Sequence, residues 1–155
     1  MSASPSASQS PGSSFQDCNC LAIRQAARHV TQFYDQLFAP VGLRATQFAI
    51  LSRLRRDGPM TINTLAAALV MDRTTLGRNI LPLQRDGLVD IVASPTDRRR
   101  RELCLSDAGA DKLREADERW TVAQTRFDDV FGSERAAALR GLLREVVASE
   151  FAGAQ

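Results

Sequence analysis

Residues 71–89, MDRTTLGRNILPLQRDGLV, and residues 94–109, SPTDRRRRELCLSDAG, decide the reading of this chain. In the first stretch Asp72 is a good N-cap, and Leu76, Ile80 and Leu83 recur at spacings of four and three. That pattern predicts a helix with one buried face, closed by Gly87. The period then drops to two. Leu88 to Ala93 reads as one strand, and Leu103 and Leu105 alternate with polar neighbours in a second. Between them Ser94-Pro95-Thr96-Asp97 puts proline and aspartate where a turn favours them, and four arginines follow. The result is a β-hairpin with a cationic tip.

Upstream, Asn63 is expected to cap a helix that buries Leu65, Ala66 and Leu69, and only about three residues separate it from the next. Two helices joined by so short a turn, followed by a hairpin, make a winged helix-turn-helix. Before it, a helix from about Thr46 turns Phe48, Leu51 and Leu54 inward and ends at Asp57-Gly58-Pro59. The first helix starts at Asp17 and carries an apolar stripe of Ile23, Ala27, Val30, Tyr34, Leu37 and Val41 until Pro40 and Gly42 stop it. Downstream, Ser106 opens a long helix whose seam is Leu113, Ala116, Trp120, Ala123, Phe127 and Val130. Gly132 ends it, and Ser133 is expected to cap a last helix bearing Leu139, Leu142, Leu143, Val146, Val147 and Phe151. The terminal helices hold more apolar surface than one small globule needs, so they are expected to form a homodimer. The fold class is mainly α with a small β-hairpin wing. A disordered serine-rich arm is expected over residues 1–16 and a single domain over 17–155. Within that domain the winged core spans about 44–106, and dimerisation helices span about 17–40 and 107–151.

Charge points to a partner. Net charge is only +2, but residues 53–101 hold ten arginines against five aspartates, while residues 102–155 hold seven basic against eleven acidic residues. The basic middle third suits a polyanion. With Leu76, Ile80 and Leu83 inward, Thr74, Arg78 and Arg85 fall on the outer face of the helix. Arg73, Thr75 and Gly77 flank them. Short hydroxyls, a forked donor and a missing side chain at a helix start suit base edges, phosphates and close backbone approach. Double-stranded DNA, as a pseudo-palindrome read by a dimer, is the expected partner.

Other classes fit poorly. No apolar stretch reaches the length of a membrane span, and the N-terminus lacks a secretory pattern, so no membrane partner and a cytoplasmic location are expected. Three cysteines and one histidine, His29, support neither a disulfide scaffold nor a zinc site. No phosphate-binding glycine loop or nucleophile motif occurs, so no catalytic residues, no metal, no cofactor and no enzyme activity are expected.

The two quoted stretches together resemble the multiple-antibiotic-resistance regulator (MarR) family. Asp97-Arg98-Arg99 matches that family's D-x-R wing, and Leu105-Ser106-Asp107-Ala108-Gly109 matches its L-T/S-x-x-G entry into the long helix. The resemblance implies a triangular homodimer that regulates transcription, with a wing arginine in each flanking minor groove. It implies a repressor released by a small molecule or by oxidation. It also implies a pocket between the dimer helices and the winged core, for which Arg24, Arg28, Phe33, Tyr34 and Phe48 are candidates, with an aromatic carboxylate or its thioester as effector. The alternative is thiol sensing. From Cys20 through Arg28 to Tyr34 the chain is similar to the first helix of the hydroperoxide-sensing branch, which makes Cys20 the candidate redox residue. There a tyrosine stands at the position of Arg24. Two further departures are Val70-Met71 in place of a glycine turn, and Pro82, which removes a hydrogen bond to the Arg78 carbonyl and is expected to kink the helix tail.

Overall fold

Helix caps set the order of elements along residues 15–151, the part of the chain that the computed structural model describes. The expected arm therefore lies outside the described residues, save that Phe15–Asp17 forms a short 3-10 turn. Helix α1 (Asn19–Phe38) begins two residues later than expected, because Cys18 stays extended and its sulfur accepts the Leu21 amide at 3.5 Å. Pro40 lies in a 3-10 turn, Ala39–Val41, and Gly42 at φ 72° breaks away from it.

Helix α2 (Ala45–Asp57) ends at Gly58. Helix α3 (Ile62–Leu69) is capped by Thr61, whose hydroxyl accepts the Thr64 amide at 3.2 Å. The expected cap, Asn63, is instead an exposed residue of the first turn, since Thr61 already satisfies the free amide. Helix α4 (Arg73–Arg85) starts at Asp72 as read, and it runs through Pro82 without a break. Strands β1 (Val89–Ala93) and β2 (Arg101–Leu105) pair antiparallel, with Val89 opposite Leu105 and Ala93 opposite Arg101. Met60 adds one bridge to this hairpin, exchanging amide and carbonyl bonds of 3.1 and 2.8 Å with Leu103.

The core follows the predicted periodicity. Leu51 and Leu54 of α2, Leu65 of α3, and Leu76, Ile80 and Leu83 of α4 are buried together with Val89 and Leu103. Phe38 was not on the predicted stripe, yet it is fully buried and stacks on Phe48 at 4.7 Å. Helix α5 (Asp107–Phe131) corrects the reading of its seam. Leu113, Ala116 and Ala123 are buried within this one chain, so they pack internally, whereas Val130 is 90% exposed. Arg55 reaches across from α2 to fork the Asp117 carboxylate of α5 at 2.6 and 3.1 Å. Helix α6 (Ser133–Ala148) has Gly132, not Ser133, at its N-cap position, with no side-chain cap bond.

Helices α3 and α4 end alike. After α4 the Leu88 amide donates to the Leu83 carbonyl and the Gly87 amide to Gln84, a Schellman closure with Gly87 at φ 70°. After α3 the Met71 amide donates to Ala66 and the Val70 amide to Ala67, but Val70 is forced to φ 53°. A β-branched residue is strained there.

Two substitutions with opposite outcomes test this account in urea at matched protein concentration. Val70→Gly relieves the left-handed strain and raises stability by about 1 kcal/mol, net of the greater freedom glycine gives the unfolded chain. Gly109→Ala drives a methyl into the Leu88 carbonyl and to 2.8 Å from the Leu105 side chain, lowering stability by about 1–3 kcal/mol.

Candidate nucleic-acid interface

The start of α4 is held by a single carboxylate. Asp72 Oδ1 accepts the Thr75 amide at 2.8 Å. Bonding from the Thr75 side chain, and next from its amide, holds the Asp72 carboxyl below its ordinary range. Thr75 is therefore partly engaged in the cap. Arg73, Thr74 and Arg78 are exposed on the same opening turns. Among the described residues no ion pair involves Arg73 or Arg78, so their guanidinium groups are uncommitted. Asn79 turns back to donate to the Thr75 carbonyl at 2.9 Å. Arg85, expected on the outer face, is exposed and pairs with Asp86 at 3.3 Å. A side chain at Gly77 would meet nothing within 4 Å. The fold does not require glycine at this position, which leaves the backbone open to approach from outside.

The hairpin tip is built by Asp97. Its Oδ1 accepts the Arg99 amide at 3.0 Å and its carbonyl accepts the Arg100 amide at 2.9 Å. Ser94, 2% exposed, closes the loop through its amide to the Arg100 carbonyl and bonds Thr96 through its hydroxyl. Asp97 thus shapes the turn through backbone amides rather than by pairing with an arginine side chain. Arg98, Arg99, Arg100 and Arg101 are exposed, and none is in an ion pair among the described residues.

The five residues expected to line one effector pocket border no single cavity within this chain, although Phe33 and Tyr34 meet edge to face at 5.4 Å. Phe48 is packed on Phe38 in the core, and Arg24 and Arg28 are exposed along α1. Phe33 lines a cavity of about 600 Å³ between α1 and α5, beside His29, Arg126, Phe127 and Phe131. Tyr34 lines a second of about 560 Å³ between α1, α5 and α6. Burial, and next the Asp128 carboxylate, push its phenol up, against Arg140 and Gln124. The stripe rule found one face of α1, but its two faces border different cavities. Cys20 is exposed within this chain, and all three cysteines are free thiols. Among the described residues no group of three or more His, Cys, Asp or Glu could hold a metal.

Comparison with known proteins decides the family. Residues 41–100 match the model of the MarR family. Over the whole fold the chain is similar to the transcriptional regulator MosR of M. tuberculosis. Identity is 32%, the match covers 86% of this chain and 99% of that one, and the TM-score is 0.71. The chain belongs to the MarR family. This MarR-family chain is also similar to the transcriptional repressor CouR, solved on a 23-mer DNA duplex, at 25% identity and TM-score 0.78, covering 88% and 96% of the two chains. It shares its fold with Bordetella bronchiseptica BpsR, at 21% identity and TM-score 0.79, over 88% and 98%. No curated protein matches the chain. The match establishes a winged helix-turn-helix transcriptional regulator, and the D-x-R segment is the turn that Asp97 builds.

The Asp72 cap makes a pH-dependent prediction. Its folded carboxyl titrates below the unfolded value of 3.8, so its contribution is present above that value and lost as pH falls through the lower folded one. Asp72→Ala should lower the melting temperature at neutral pH, with the gap to wild type closing as the solution is acidified. Asp72→Asn keeps an acceptor and should keep most of the neutral-pH stability.

Proposed function

We propose that this MarR-family chain is a homodimeric repressor that inserts α4 into the major groove and the Asp97–Arg99 turn into the flanking minor groove. The observation that carries this reading is the clustering of exposed arginines, free of ion pairs among the described residues, on two adjacent elements: Arg73 and Arg78 at the start of α4 and four in a row, Arg98 to Arg101, on the hairpin. The DNA duplex bound to CouR supports it. Dimerisation is supported by the exposed apolar side chains of α5 and α6, among them Val130, Leu142 and Val147. The effector is a small aromatic acid. Phe33, Phe127 and Phe131 offer rings and Arg126 a cation in a cavity of suitable size, and the DNA binding of BpsR is regulated by 6-hydroxynicotinic acid. The protein works where the DNA is, in the cytoplasm.

Fluorescence anisotropy with a pseudo-palindromic duplex, half-sites about one helical turn apart, tests the reading. Arg78→Ala should cost about 1–3 kcal/mol and relax preference at one base pair. Arg99→Ala should weaken binding on all sequences. Asp97→Ala should weaken it too, although a negative charge is removed, because the turn loses its acceptor. Tighter binding by Asp97→Ala would contradict the role given to the turn. Sedimentation of a monomer at micromolar concentration without DNA would contradict the dimer.

A further inference from the structure

A groove of about 320 Å³ runs between α4 and the hairpin. Gly77, Leu81 and Gln84 form its helix side, and Ile91 and Arg101 its hairpin side. Leu81 is 64% exposed, a costly place for a leucine on a surface otherwise rich in charge, and Ile91 is 41% exposed beside it. Ile91 and Arg101 share one face of the hairpin with buried Val89 and Leu103, as strand alternation requires. Glu102 also borders the groove, but alternation sends its side chain to the opposite face. On α4, Leu81 follows Thr74 by seven residues and Arg78 by three, so it continues the face that carries them.

A winged head that places a helix in the major groove and a hairpin in the adjacent minor groove must straddle the sugar–phosphate strand between the two. This groove lies between those elements, is apolar at its centre, and carries Arg101 on its hairpin side, while Arg78 follows Gly77 directly on the helix side. Deoxyribose offers carbon–hydrogen surface and the phosphates offer charge, which is the chemistry the groove complements.

We propose that the groove between α4 and the hairpin seats one sugar–phosphate strand of the operator, with Leu81 and Ile91 against deoxyribose and Arg101 on a phosphate. This rests on the DNA-binding reading above and extends it to residues that read no base. The missing side chain at Gly77 lets the strand approach the helix backbone. Arg101 supplies its charge from the strand pair next to the tip loop, opposite Ala93, rather than from the loop itself.

The test uses the full chain on duplexes that the wild type selects from a random pool, with thermal melts to confirm folding. Leu81→Ala is expected to weaken binding about fivefold on every duplex, from partial loss of apolar contact, with the ranking of base-substituted duplexes unchanged. Arg101→Ala is expected to reduce the slope of log affinity against log salt by about 0.9 in magnitude. One neutral methylphosphonate per half-site should abolish the cost of Arg101→Ala at a single position. The proposal is overturned if both variants bind like wild type, or if Leu81→Ala changes base preference. A change in oligomeric state with DNA affinity intact would show that a second copy fills the groove and would also overturn it. If the wild type binds no duplex, the DNA-binding reading falls first.

Discussion

Everything in the reading head depends on the hydrogen-bonded contact between the end of α4 and the start of α5. Ser106 donates its hydroxyl to the Gly87 carbonyl at 2.6 Å and accepts the Gly109 amide at 2.9 Å. Its own amide donates to the Leu88 carbonyl at 3.2 Å. Gly109 allows this, because a side chain there would collide with Leu88. Four elements meet at these residues: the close of α4, the residue that leads into β1, the last of β2 and the cap of α5. The L-S-x-x-G signature is therefore a joint, and a movement of α5 passes to α4 instead of being absorbed by a loop.

Electrostatics divides the surface along the same lines. Arg53 and Arg56 pair with Asp57, Lys112 with Glu115, Arg114 with Asp111, and Arg55 with Asp117. Such exposed pairs contribute little stability, about 0–1 kcal/mol each. Their effect is to neutralise positive charge away from the head. The arginines of the hairpin tip have no such partners, and their mutual repulsion is opposed by backbone bonds from Asp97 and Ser94. Four consecutive arginines, free of ion pairs among the described residues, thus concentrate positive charge on the hairpin, and its field weakens with salt over a Debye length of about 8 Å.

The parts of this architecture legible in the sequence are those set by local rules. Asp72, Gly87 and Ser106 mark element ends because cap chemistry lies within a few residues, and the spacing of Leu76, Ile80 and Leu83 fixes a face. Asn63 and Ser133 were misread for the same reason. Either could cap a helix, and the choice fell to Thr61 and Gly132 through the surrounding path of the chain. Phe38 could not be found by stripe counting, since its burial comes from stacking on Phe48 in another helix. The five expected pocket residues divide between two cavities, the core and the surface of α1 within this one chain, because periodicity tells which side chains share a helix face, not which cavity that face borders. Leu81 stands out in the sequence only once the outer face of α4 is drawn. A leucine one turn beyond Arg78 on the outer face has no core to fill, and it gains significance only through Ile91 across the groove.

The seam of α5 shows how one helix can serve two purposes. Its first half, with Leu113 and Ala116, is fixed in the core beside the reading head, whereas Val130 at its far end is bare. At 25 residues the helix is about 37 Å long, a lever with the head at one end and the α1–α5 cavity near the other. A tilt of about 5° at the cavity end moves the head by about 3 Å over that length. That is close to the rise of one base pair, about 3.4 Å. In the proposed dimer the two heads would shift in opposite senses, so a ligand need not unfold anything to spoil the fit. Under the proposed effector regulation it would only have to reshape the cavity that Phe33 and Phe127 line enough to alter the spacing of two heads on a duplex whose half-sites cannot follow. The rigid joint at Ser106 makes such a small displacement effective, because a flexible connection there would let each head find its half-site regardless of where α5 points.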